Sequence, residues 1–405
     1  MGEGISGEVG LAAAPYDQWL LLSPADGSPR PSARYKHAAE VVQDKLFVVG
    51  GSRNGRSLSD VQVFDFKTFM WSALIPTRDQ NHLNHENNDT DQPFPALPGH
   101  SLVKWKNNLV VIAGNIRSQS ALNKVSVWLI DVETNSWSAL DTYGKVPDHK
   151  RRLLNDLHIL DLETMMWEEV KTAKGGPAAR YDHSAALYAD QYLLIFGGSS
   201  HSTCFNDLYL LDLQTMEWSR PDTQGAHISP RSGHAGTMID ENWYIVGGGD
   251  NASGSTDTIV MNGSKFVWSV VTSVSAWDPL ACEGLTLCSA TVDGEKFLIA
   301  FGGYNGKYNN EVLTSKSFVF SFFLLKELKS VQDQLAAEGS RCQKLEIHIA
   351  AARKRLESAS SLENELDVLR QQISQVEQTM STAQRQKSGG VWKWVAGSAE
   401  VSDDE

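Results

Sequence analysis

A short apolar strand that ends in a glycine pair recurs along this chain and constrains its fold more than any other feature. Because the copies repeat along the chain, we expect a repeat architecture in which no unit folds alone and neighbouring units share a core. A weaker fifth copy, LVVIAGN, ends around Gly114. The four clear copies are LFVVGG (Leu46–Gly51), YLLIFGG (Tyr192–Gly198), WYIVGGG (Trp243–Gly249) and FLIAFGG (Phe297–Gly303).

Each glycine-pair strand lies inside a longer unit. A loop and first strand precede it, as in ARYKH (Ala33–His37), PGH (Pro98–His100), ARYDH (Ala179–His183) and PRSGH (Pro230–His234). A third strand and a tryptophan follow, at Trp71, Trp137, Trp167, Trp218 and Trp268. The last three tryptophans are 51 and 50 residues apart. Four short strands with tight turns fit that period, so each unit is predicted to be one blade of a β-propeller.

The repeated residues have mechanical roles in this interpretation. Glycine pairs suit positions with positive φ or close backbone contact near the axis. The pairs are Gly50–Gly51, Gly197–Gly198, Gly247–Gly248 and Gly302–Gly303. The tryptophans supply large apolar plates to bury between blades. In the DLxTMxW runs an Asp and a Thr fall in a hairpin turn, where they can bond the local backbone.

Counting the units predicts an all-β propeller of six blades over residues 16–320. Five outer hairpins end in the tryptophans above, and Trp19 is predicted to supply the missing outer strand of the last blade from the N-terminal side. The third blade is incomplete, because Trp137 and Trp167 are only 30 residues apart and PDHKRRLL replaces the inner strands between Pro147 and Asn155. We expect a ring with a gap, or five full blades with an appended hairpin, and either should be less stable than an intact propeller.

After residue 325 the apolar period changes to three and a half residues, which predicts a coiled coil over 325–386. A second chain is implied, most simply in a homodimer; the alternative is a helix that packs on the propeller. The seam is predicted at Leu345, Ile349, Leu356, Leu366, Leu369 and Ile373. The junction SFVFSFFLL (Ser317–Leu325) is expected to be a buried strand or packed junction. Residues 1–15 are expected to be disordered and 387–405, with Trp392 and Trp394, an acidic flexible tail or docking motif.

These motifs closely resemble the kelch family. The run PYDQW, the segment PRPSARYKHAAEVVQDKLFVVGG and the terminal GGVWKWVAG resemble the C-terminal part of plant kelch-type acyl-CoA-binding proteins. The resemblance implies a small helical acyl-CoA-binding bundle ahead of the propeller. Only about 15 residues precede Tyr16, so we expect that bundle to be absent. Acyl-CoA or lipid binding therefore stays an alternative that rests on the resemblance alone.

Charge and cysteine content narrow the classes of partner. The net charge of −13 disfavours nucleic acid, because phosphate backbones are repelled. Cys204, Cys282, Cys288 and Cys342 form no CxxC pair, which indicates reduced thiols in a cytoplasmic or nuclear protein. No apolar run reaches the length of a transmembrane helix.

The histidines His37, His100, His183 and His234 occupy equivalent places in successive blades, so a structural role is predicted rather than a metal site. Kelch folds include copper oxidases, but the required His and Tyr grouping is not identifiable here. Neither a phosphate-binding loop nor a GxSxG motif is present. We therefore predict no catalytic residues, no metal and no cofactor, and rank an oxidase last.

The loops that vary between blades are the predicted binding surface, because a rigid scaffold usually presents its binding residues on loops. The second-to-third-strand loops and the inter-blade linkers are expected on one face, with the insert over 75–98. Arg and Tyr dominate interface energetics. The predicted partner-binding residues are Arg53, Arg56, Arg117, His201, Tyr304, Lys307 and Tyr308. The leading hypothesis is a non-enzymatic scaffold that binds a protein or peptide and self-associates through the coil.

Overall fold

A computed structural model of the chain describes residues 11, 14, 16, 18–74, 77–78, 94–112, 125–147, 153–250, 252–316 and 321–391. The chain divides into two compact units, Met1–Phe320 and Ser321–Glu405. The first unit consists of β-strands and the second is a single helix. The predicted fold class, a six-bladed propeller with an incomplete third blade followed by a long helix, is confirmed.

Six sheets form the blades, and in the complete blades four strands run antiparallel from the inside to the outside. Blade 1 contains β2 (Ala38–Val42), β3 (Lys45–Val49), β6 (Val61–Asp65) and β7 (Trp71–Leu74). Blade 2 contains β9 (Ser101–Trp105), β10 (Asn108–Ile112), β11 (Val127–Asp131) and β12 (Ser136–Leu140), with β8 (Thr77–Arg78) beside β12.

Blade 4 contains β16 (Ser184–Tyr188), β17 (Tyr192–Phe196), β20 (Leu208–Asp212) and β21 (Glu217–Ser219). Blade 5 contains β23 (Ser232–Ile239), β24 (Asn242–Gly249), β25 (Asp257–Asn262) and β26 (Val267–Ser273), with β22 (Gln224–Gly225) beside β26. Small hairpins extend two of the loops, β4 (Ser52–Arg53) with β5 (Arg56–Ser57) and β18 (Ser199–Ser200) with β19 (Thr203–Cys204).

The last blade is closed by the N-terminal side of the chain, as predicted. Blade 6 contains β27 (Thr286–Val292), β28 (Glu295–Phe301), β29 (Val312–Lys316) and β1 (Leu20–Leu22). Strand β1 pairs antiparallel with β29, with Leu22 opposite Val312. Trp19 directly precedes β1, and its indole N–H donates a 2.8 Å hydrogen bond to Thr258 Oγ1 of blade 5. Closure of this kind removes an open sheet edge.

Blade 3 retains only its outer hairpin among the described residues. It contains β14 (Leu157–Asp161) and β15 (Met166–Val170), with β13 (Tyr143–Gly144) parallel to β15. Residues 148–152, the middle of the PDHKRRLL run, lie outside the described part. The hairpin still separates its neighbours: Trp167 packs with Val110 of blade 2, and Leu157 packs with Ile195 of blade 4.

Hydrophobic clusters between adjacent blades form the core. Apolar residues alternate along the strands, so one set faces the preceding blade and the other faces the next. In blade 1, Leu46 and Val48 face blade 6, whereas Phe47 and Val49 face blade 2. All five repeat tryptophans, Trp71, Trp137, Trp167, Trp218 and Trp268, are buried. Leu11 and Ala14 are buried beside blade 1, and the other residues of 1–15 lie outside the described part.

The turns of four outer hairpins share the same side-chain-to-backbone hydrogen bonds. Asp65 Oδ1 accepts hydrogen bonds from the backbone N–H groups of Lys67 and Thr68, and Asp131, Asp161 and Asp212 do the same in their blades. These bonds to the charged form lower the pKa of Asp161. The residue before the tryptophan strand, such as Met165 or Met216, has positive φ. The DLxTMxW pattern is therefore a turn sequence.

The second unit is one helix, α1 (Ser321–Val391), of 71 residues. The junction is helical from Ser321, so the prediction of a buried strand is wrong for residues 321–325; 317–320 lie outside the described part. The described side chains, 331–385, are exposed in the single chain, including all six seam residues: Leu345, Ile349, Leu356, Leu366, Leu369 and Ile373. Residues 392–405, with Trp392 and Trp394, lie outside the described residues.

Candidate partner-binding face

The inter-blade linkers and the second-to-third-strand loops lie on the same face of the propeller. Tyr35 forms an antiparallel bridge with Ser52, and Tyr181 forms one with Ser199. In blade 6 the bridge joins Glu283 to Tyr304. Each bridge pairs the loop before the first strand with the loop after the second strand of the same blade. We call this surface the loop face.

A chain of backbone hydrogen bonds links the linkers around the axis of the loop face. Each bond runs from an N–H group to a carbonyl oxygen of a neighbouring blade. The bonds are Gly99 to Lys36 at 2.8 Å, Lys36 to Gly284 at 2.9 Å, Gly284 to Gly233 at 2.8 Å and Gly233 to Asp182 at 2.9 Å. All five residues have left-handed φ, between 52° and 68°. This series of hydrogen bonds runs through blades 2, 1, 6, 5 and 4, and blade 3 contributes no described residue to it.

The glycine pairs couple each blade to the next. The second glycine donates its N–H to a linker carbonyl of the following blade, as Gly51 does to Leu97 and Gly303 to Arg34, both at 2.8 Å. A Cβ at Gly51 would lie 2.8 Å from His37 Cβ, and φ there is 101°. Glycine is therefore required by both space and backbone conformation.

In the segments ARYKH, ARYDH and PRSGH a buried arginine forms an ion pair with an aspartate at the start of the third strand, which the sequence pattern did not reveal. Arg34 donates two hydrogen bonds to the Asp60 carboxylate, at 2.8 and 2.7 Å, and one to Gly50 O. Arg180 pairs with Asp207 in the same way, and Arg231 Nη2 lies 2.9 Å from Asp257 Oδ1. Burial alone would raise the pKa of the Asp60 carboxyl, but Arg34 outweighs it and holds that pKa below its usual range. These pairs position the linkers.

The repeat histidines pack between blades. His37 Nε2 and Thr286 Oγ1 of blade 6 are joined by a 3.0 Å hydrogen bond, and His234 Nε2 and Ser184 Oγ of blade 4 by one of 2.8 Å. Burial, with a smaller contribution from the neighbouring arginine, lowers the pKa of His37 and of His234 to about 3. In the described ranges no three His, Cys, Asp or Glu side chains form a group that could hold a metal ion.

The predicted partner-binding residues fall on the loop face in different places. Arg53 and Arg56 are exposed on the β4–β5 hairpin, whose Asn54–Gly55 turn has positive φ at both positions. His201 is exposed at the tip of the β18–β19 hairpin. Lys307 is exposed between Tyr304 and Tyr308 in blade 6. Arg117 lies outside the described residues, as does most of the 75–98 insert.

Three tyrosines form a cluster on this face that joins blades 1 and 6. The ring of Tyr35 lies 6.0 Å from that of Tyr304 and 5.6 Å from that of Tyr308, and the last two rings are 4.9 Å apart. Lys36 extends from the same linker and its ammonium lies 3.6 Å from Asp182 Oδ2 of blade 4. Sequence reasoning selected Tyr304 and Tyr308 but used Tyr35 only as a strand marker.

A cleft of about 510 Å³ lies beside this cluster, between blades 5 and 6. Trp277, whose side chain is 80% exposed, stands on its wall. Tyr304, Asp250 and Glu283 are also in the lining. Trp277 was not selected from the sequence; the available signal was an aromatic residue in a linker, SAWDP, that has no counterpart in other repeats. The cleft therefore offers aromatic surface beside two carboxylates.

The four cysteines of the chain do not form disulfides. Cys204, Cys282, Cys288 and Cys342 are free. Burial raises the pKa of Cys282 to about 12 and that of Cys288 well above its usual range, so these two thiols stay protonated. In the part of the chain that the structure describes, no helix has an apolar stretch long enough to cross a membrane.

Comparison with known proteins places these features in context. Residues 148–322 match the KLHDC2/KLHL20/DRC7 Kelch-repeats domain, and residues 33–74 match the Kelch motif. Residues 322–387 match the family described as acyl-CoA-binding domain-containing protein 4-6, C-terminal. The helix thus matches a sequence family of its own, separate from the blades.

Full-length relatives agree with these matches. Acyl-CoA-binding domain-containing protein 4 of Arabidopsis thaliana is 39% identical, over 96% of this chain and 75% of its own length. Acyl-CoA-binding domain-containing protein 6 of Oryza sativa subsp. japonica is 39% identical, over 98% of this chain and 75% of its own length. Kelch domain-containing protein 3 of Rattus norvegicus is 27% identical, over 70% of this chain and 66% of its own length. The alignment with the Arabidopsis protein spans 508 positions, so that relative has residues without a counterpart in this chain.

Proposed function

This chain belongs to the plant acyl-CoA-binding domain-containing protein 4–6 family, and we propose that it acts as a non-enzymatic scaffold. In this proposal the loop face of the propeller binds a protein or peptide, and the helix α1 joins two copies of the chain. The cytoplasm is the proposed compartment, with the nucleus as the alternative; the four free cysteines support both.

The observation that carries the proposal is the exposed Trp277 on the wall of the cleft between blades 5 and 6. A tryptophan exposed to this degree presents a large apolar area, and tryptophan, tyrosine and arginine provide most binding energy at protein interfaces. Tyr304 lines the same cleft and belongs to the three-tyrosine cluster. Backbone hydrogen bonds between Glu283 and Tyr304, at 3.0 and 2.9 Å, and the 2.9 Å bond from Asn305 Nδ2 to Asp278 O hold the Trp277 linker against the Tyr304 loop, so the surface is preorganised.

The charges beside the aromatic groups favour a particular partner chemistry. Asp250 and Glu283 line the cleft and supply negative charge next to Trp277. A peptide segment with an apolar anchor and an adjacent Lys or Arg would complement this surface. Arg53, Arg56 and Lys307, which lie on neighbouring loops of the face, would contact acidic or carbonyl groups at the rim of the same partner.

Self-association is proposed for α1 because its seam residues are exposed in the single chain. Heptad spacing places Leu345, Ile349, Leu356, Leu366 and the following seam residues along one stripe. Exposed apolar stripes of this length are stabilised by burial against a second helix. Two linked propellers would then bind a repeated or dimeric partner more tightly than one.

Affinity capture with the full chain tests the binding half of the proposal. Proteins captured from a plant extract by the unaltered chain should be lost with Trp277→Ala combined with Tyr304→Ala. They should be retained with Tyr143→Ala, which removes an exposed aromatic side chain from blade 3. If the same proteins are captured equally by all three chains, the cleft is not the binding site and the proposal is wrong.

Light scattering tests the self-association half. Ile349→Lys with Leu366→Lys should convert a dimer to a monomer, because two charges would enter the seam of each helix. The control Ser374→Lys adds a charge to α1 next to, but outside, the seam position Ile373. A monomeric unaltered chain would contradict the proposal.

Acyl-CoA binding is the second candidate, and only the family membership favours it. The named relatives are acyl-CoA-binding domain-containing proteins. Calorimetric titration of the full chain with palmitoyl-CoA below its micellar concentration distinguishes the two candidates. Tight saturable binding would place acyl-CoA first.

A further inference from the structure

The inner edge of blade 3 is open in a way that no other blade shares among the described residues. In blade 4, β20 pairs with β17 on its inner side and with β21 on its outer side. The equivalent strand in blade 3, β14, pairs with β15 alone. Among the described residues, no strand pairs with the inner backbone N–H and C=O groups of β14, which is the kind of edge that another strand can extend.

The walls of the gap expose apolar side chains that are covered elsewhere in the ring. Val103 on β9 faces the gap from blade 2 and is 43% exposed; Leu187 on β16 faces it from blade 4 and is 49% exposed. By strand register Val41 holds the position of Leu187 in blade 1, where it packs on blade 6 and is only 8% exposed. Leu187 is more exposed than Val41 because blade 3 has no described inner strand to cover it.

Two polar side chains at the gap, His183 and Ser101, are equivalent to residues that form inter-blade hydrogen bonds elsewhere in the ring. Elsewhere a linker histidine bonds the first hydroxyl residue of the preceding blade, as His234 does with Ser184 and His37 with Thr286. His183 is the linker histidine of blade 4, and Ser101 is the first strand residue of blade 2; both are exposed. The chain of linker hydrogen bonds also ends on either side, at Gly99 and at Asp182.

The gap is continuous with two interfaces that already hold blade 3. On one side the cluster of Val110 and Trp167 extends inward toward Val103; on the other the cluster of Ile195 and Leu157 extends toward Leu187. An occupant would prolong both interfaces toward the axis and pair with β14. The shape and chemistry of that occupant follow from the equivalent inner hairpin of blade 4.

We propose that the gap is a second binding site, distinct from the loop face, which takes a β-hairpin of a partner protein and completes blade 3 in trans. The hairpin carries alternating apolar residues, a histidine that reaches Ser101, and a Ser or Thr that reaches His183. A glycine is needed where it meets His183, since a Cβ at Gly197 would lie 2.8 Å from His234 Cε1. A second copy of this chain is not the occupant, because every described inner hairpin is paired within its own blade.

A synthetic peptide with the sequence of residues 179–198 is the probe, because it is the inner hairpin of blade 4. Fluorescence anisotropy of the labelled peptide with the full chain should give saturable one-to-one binding. Val103→Lys and Leu187→Lys should each weaken binding at least tenfold. Both side chains are exposed, so the melting temperature should be almost unchanged. Val270→Lys, at an exposed apolar residue on a strand of blade 5, should bind the peptide normally.

A second peptide separates strand pairing from nonspecific adhesion. Ile195→Pro in the peptide removes a backbone N–H on the side that would face β14, because in blade 4 the odd-numbered residues of this strand bond toward β20, as Gly197 N–H does to Asp207 O. This substitution should abolish binding. The proposal is overturned if there is no saturation by about 1 mM peptide. Equal binding of the proline peptide, or unweakened binding of the original peptide by the V103K and L187K variants, would also overturn it. If the peptide instead dissociates a dimer whose stability depends on Leu187, the occupant is a second copy and the partner assignment is wrong.

Discussion

Lys36 Nζ lies 3.6 Å from Asp182 Oδ2, so an ion pair joins the linkers of blades 1 and 4, which are not neighbours in the ring. Both side chains are more than one-third exposed. The pair lies beside the three-tyrosine cluster through Tyr35, and both residues belong to the chain of linker hydrogen bonds. It connects two opposite blades of the ring across the axis of the loop face.

Because it is exposed, this ion pair should stabilise the fold only weakly. A double-mutant cycle with Lys36→Gln and Asp182→Asn should give a coupling energy below about 1 kcal/mol in urea denaturation. Asn is chosen because it tolerates the left-handed φ of this position. In about 1 M NaCl the coupling should vanish, since the screening length falls to about 3 Å. A coupling above about 2 kcal/mol would mean that the pair is a structural clamp.

The buried Arg180–Asp207 pair should behave differently. Asp207→Ala leaves the Arg180 guanidinium buried without its carboxylate, at a cost of about 3 kcal/mol in unfolding free energy. The matched control is Glu217→Ala, which removes the carboxylate of an exposed 2.7 Å pair with Lys174 and should cost under about 1 kcal/mol. Chemical denaturation measures both, and equal losses would contradict the assignment of Arg180 as a buried anchor.

Stability should fall with acid well before the carboxylates titrate. Burial lowers the pKa of His37 and His234 to about 3 and that of His100 to about 4, against about 6.5 in the unfolded chain. Between these values the unfolded chain binds more protons, so stability rises with pH and is lost as pH falls below about 6.5. Each histidine changes the free energy of unfolding by at most about 1.4 kcal/mol per pH unit.

Urea denaturation between pH 7.5 and 5 measures this slope. His234→Leu should reduce it by roughly one-quarter to one-third, because it removes one of the four histidines whose pKa burial lowers, which are His37, His100, His183 and His234. Leucine is a natural choice, since Leu285 occupies the equivalent position in blade 6. His348→Gln, on the exposed surface of α1, should leave the slope unchanged. A slope that His234→Leu does not alter would show that this histidine does not control acid stability.

Two glycines of nearly equal φ separate conformational strain from crowding. Gly306 has a φ of 98° and open space at its Cβ position, so Gly306→Ala should cost about 1–2 kcal/mol through strain alone. Gly51 has a φ of 101°, but a Cβ there would meet His37 and the Tyr35 carbonyl. Gly51→Ala should therefore cost a further ~1–3 kcal/mol in thermal or urea denaturation. Similar losses would mean that His37 can move aside.

Much of the architecture could be predicted from the sequence. The glycine-pair strands and the tryptophan period predict four-stranded blades, and the short distance from Trp137 to Trp167 predicts that one blade lacks its inner strands. The position of Trp19 predicts closure by an N-terminal strand, which β1 provides. The heptads predict one long helix from about residue 325, and the structure has it from Ser321 to Val391. Each of these depends on local spacing, which a single chain displays directly.

The candidate binding surface depends on contacts that the spacing of residues in the sequence does not encode. Tyr35 and Tyr304 are far apart in the sequence, and only ring closure brings them to one cluster. Trp277 lies in a linker without a repeat counterpart, so no pattern predicted its exposure. Likewise Ser101 and His183 are ordinary members of their motifs, and only the lack of a described inner hairpin in blade 3 distinguishes them from their equivalents elsewhere in the ring.

The sequence by itself thus determined the repeat, the number of blades, the damaged blade and the helix, because strand alternation, turn chemistry and heptads act over a few residues. The tertiary structure decided which side chains meet across blades: Lys36 with Asp182, Arg180 with Asp207, and His234 with Ser184. Closing the ring brings distant linkers together around one axis. Their partners are fixed by that geometry rather than by the residues beside them.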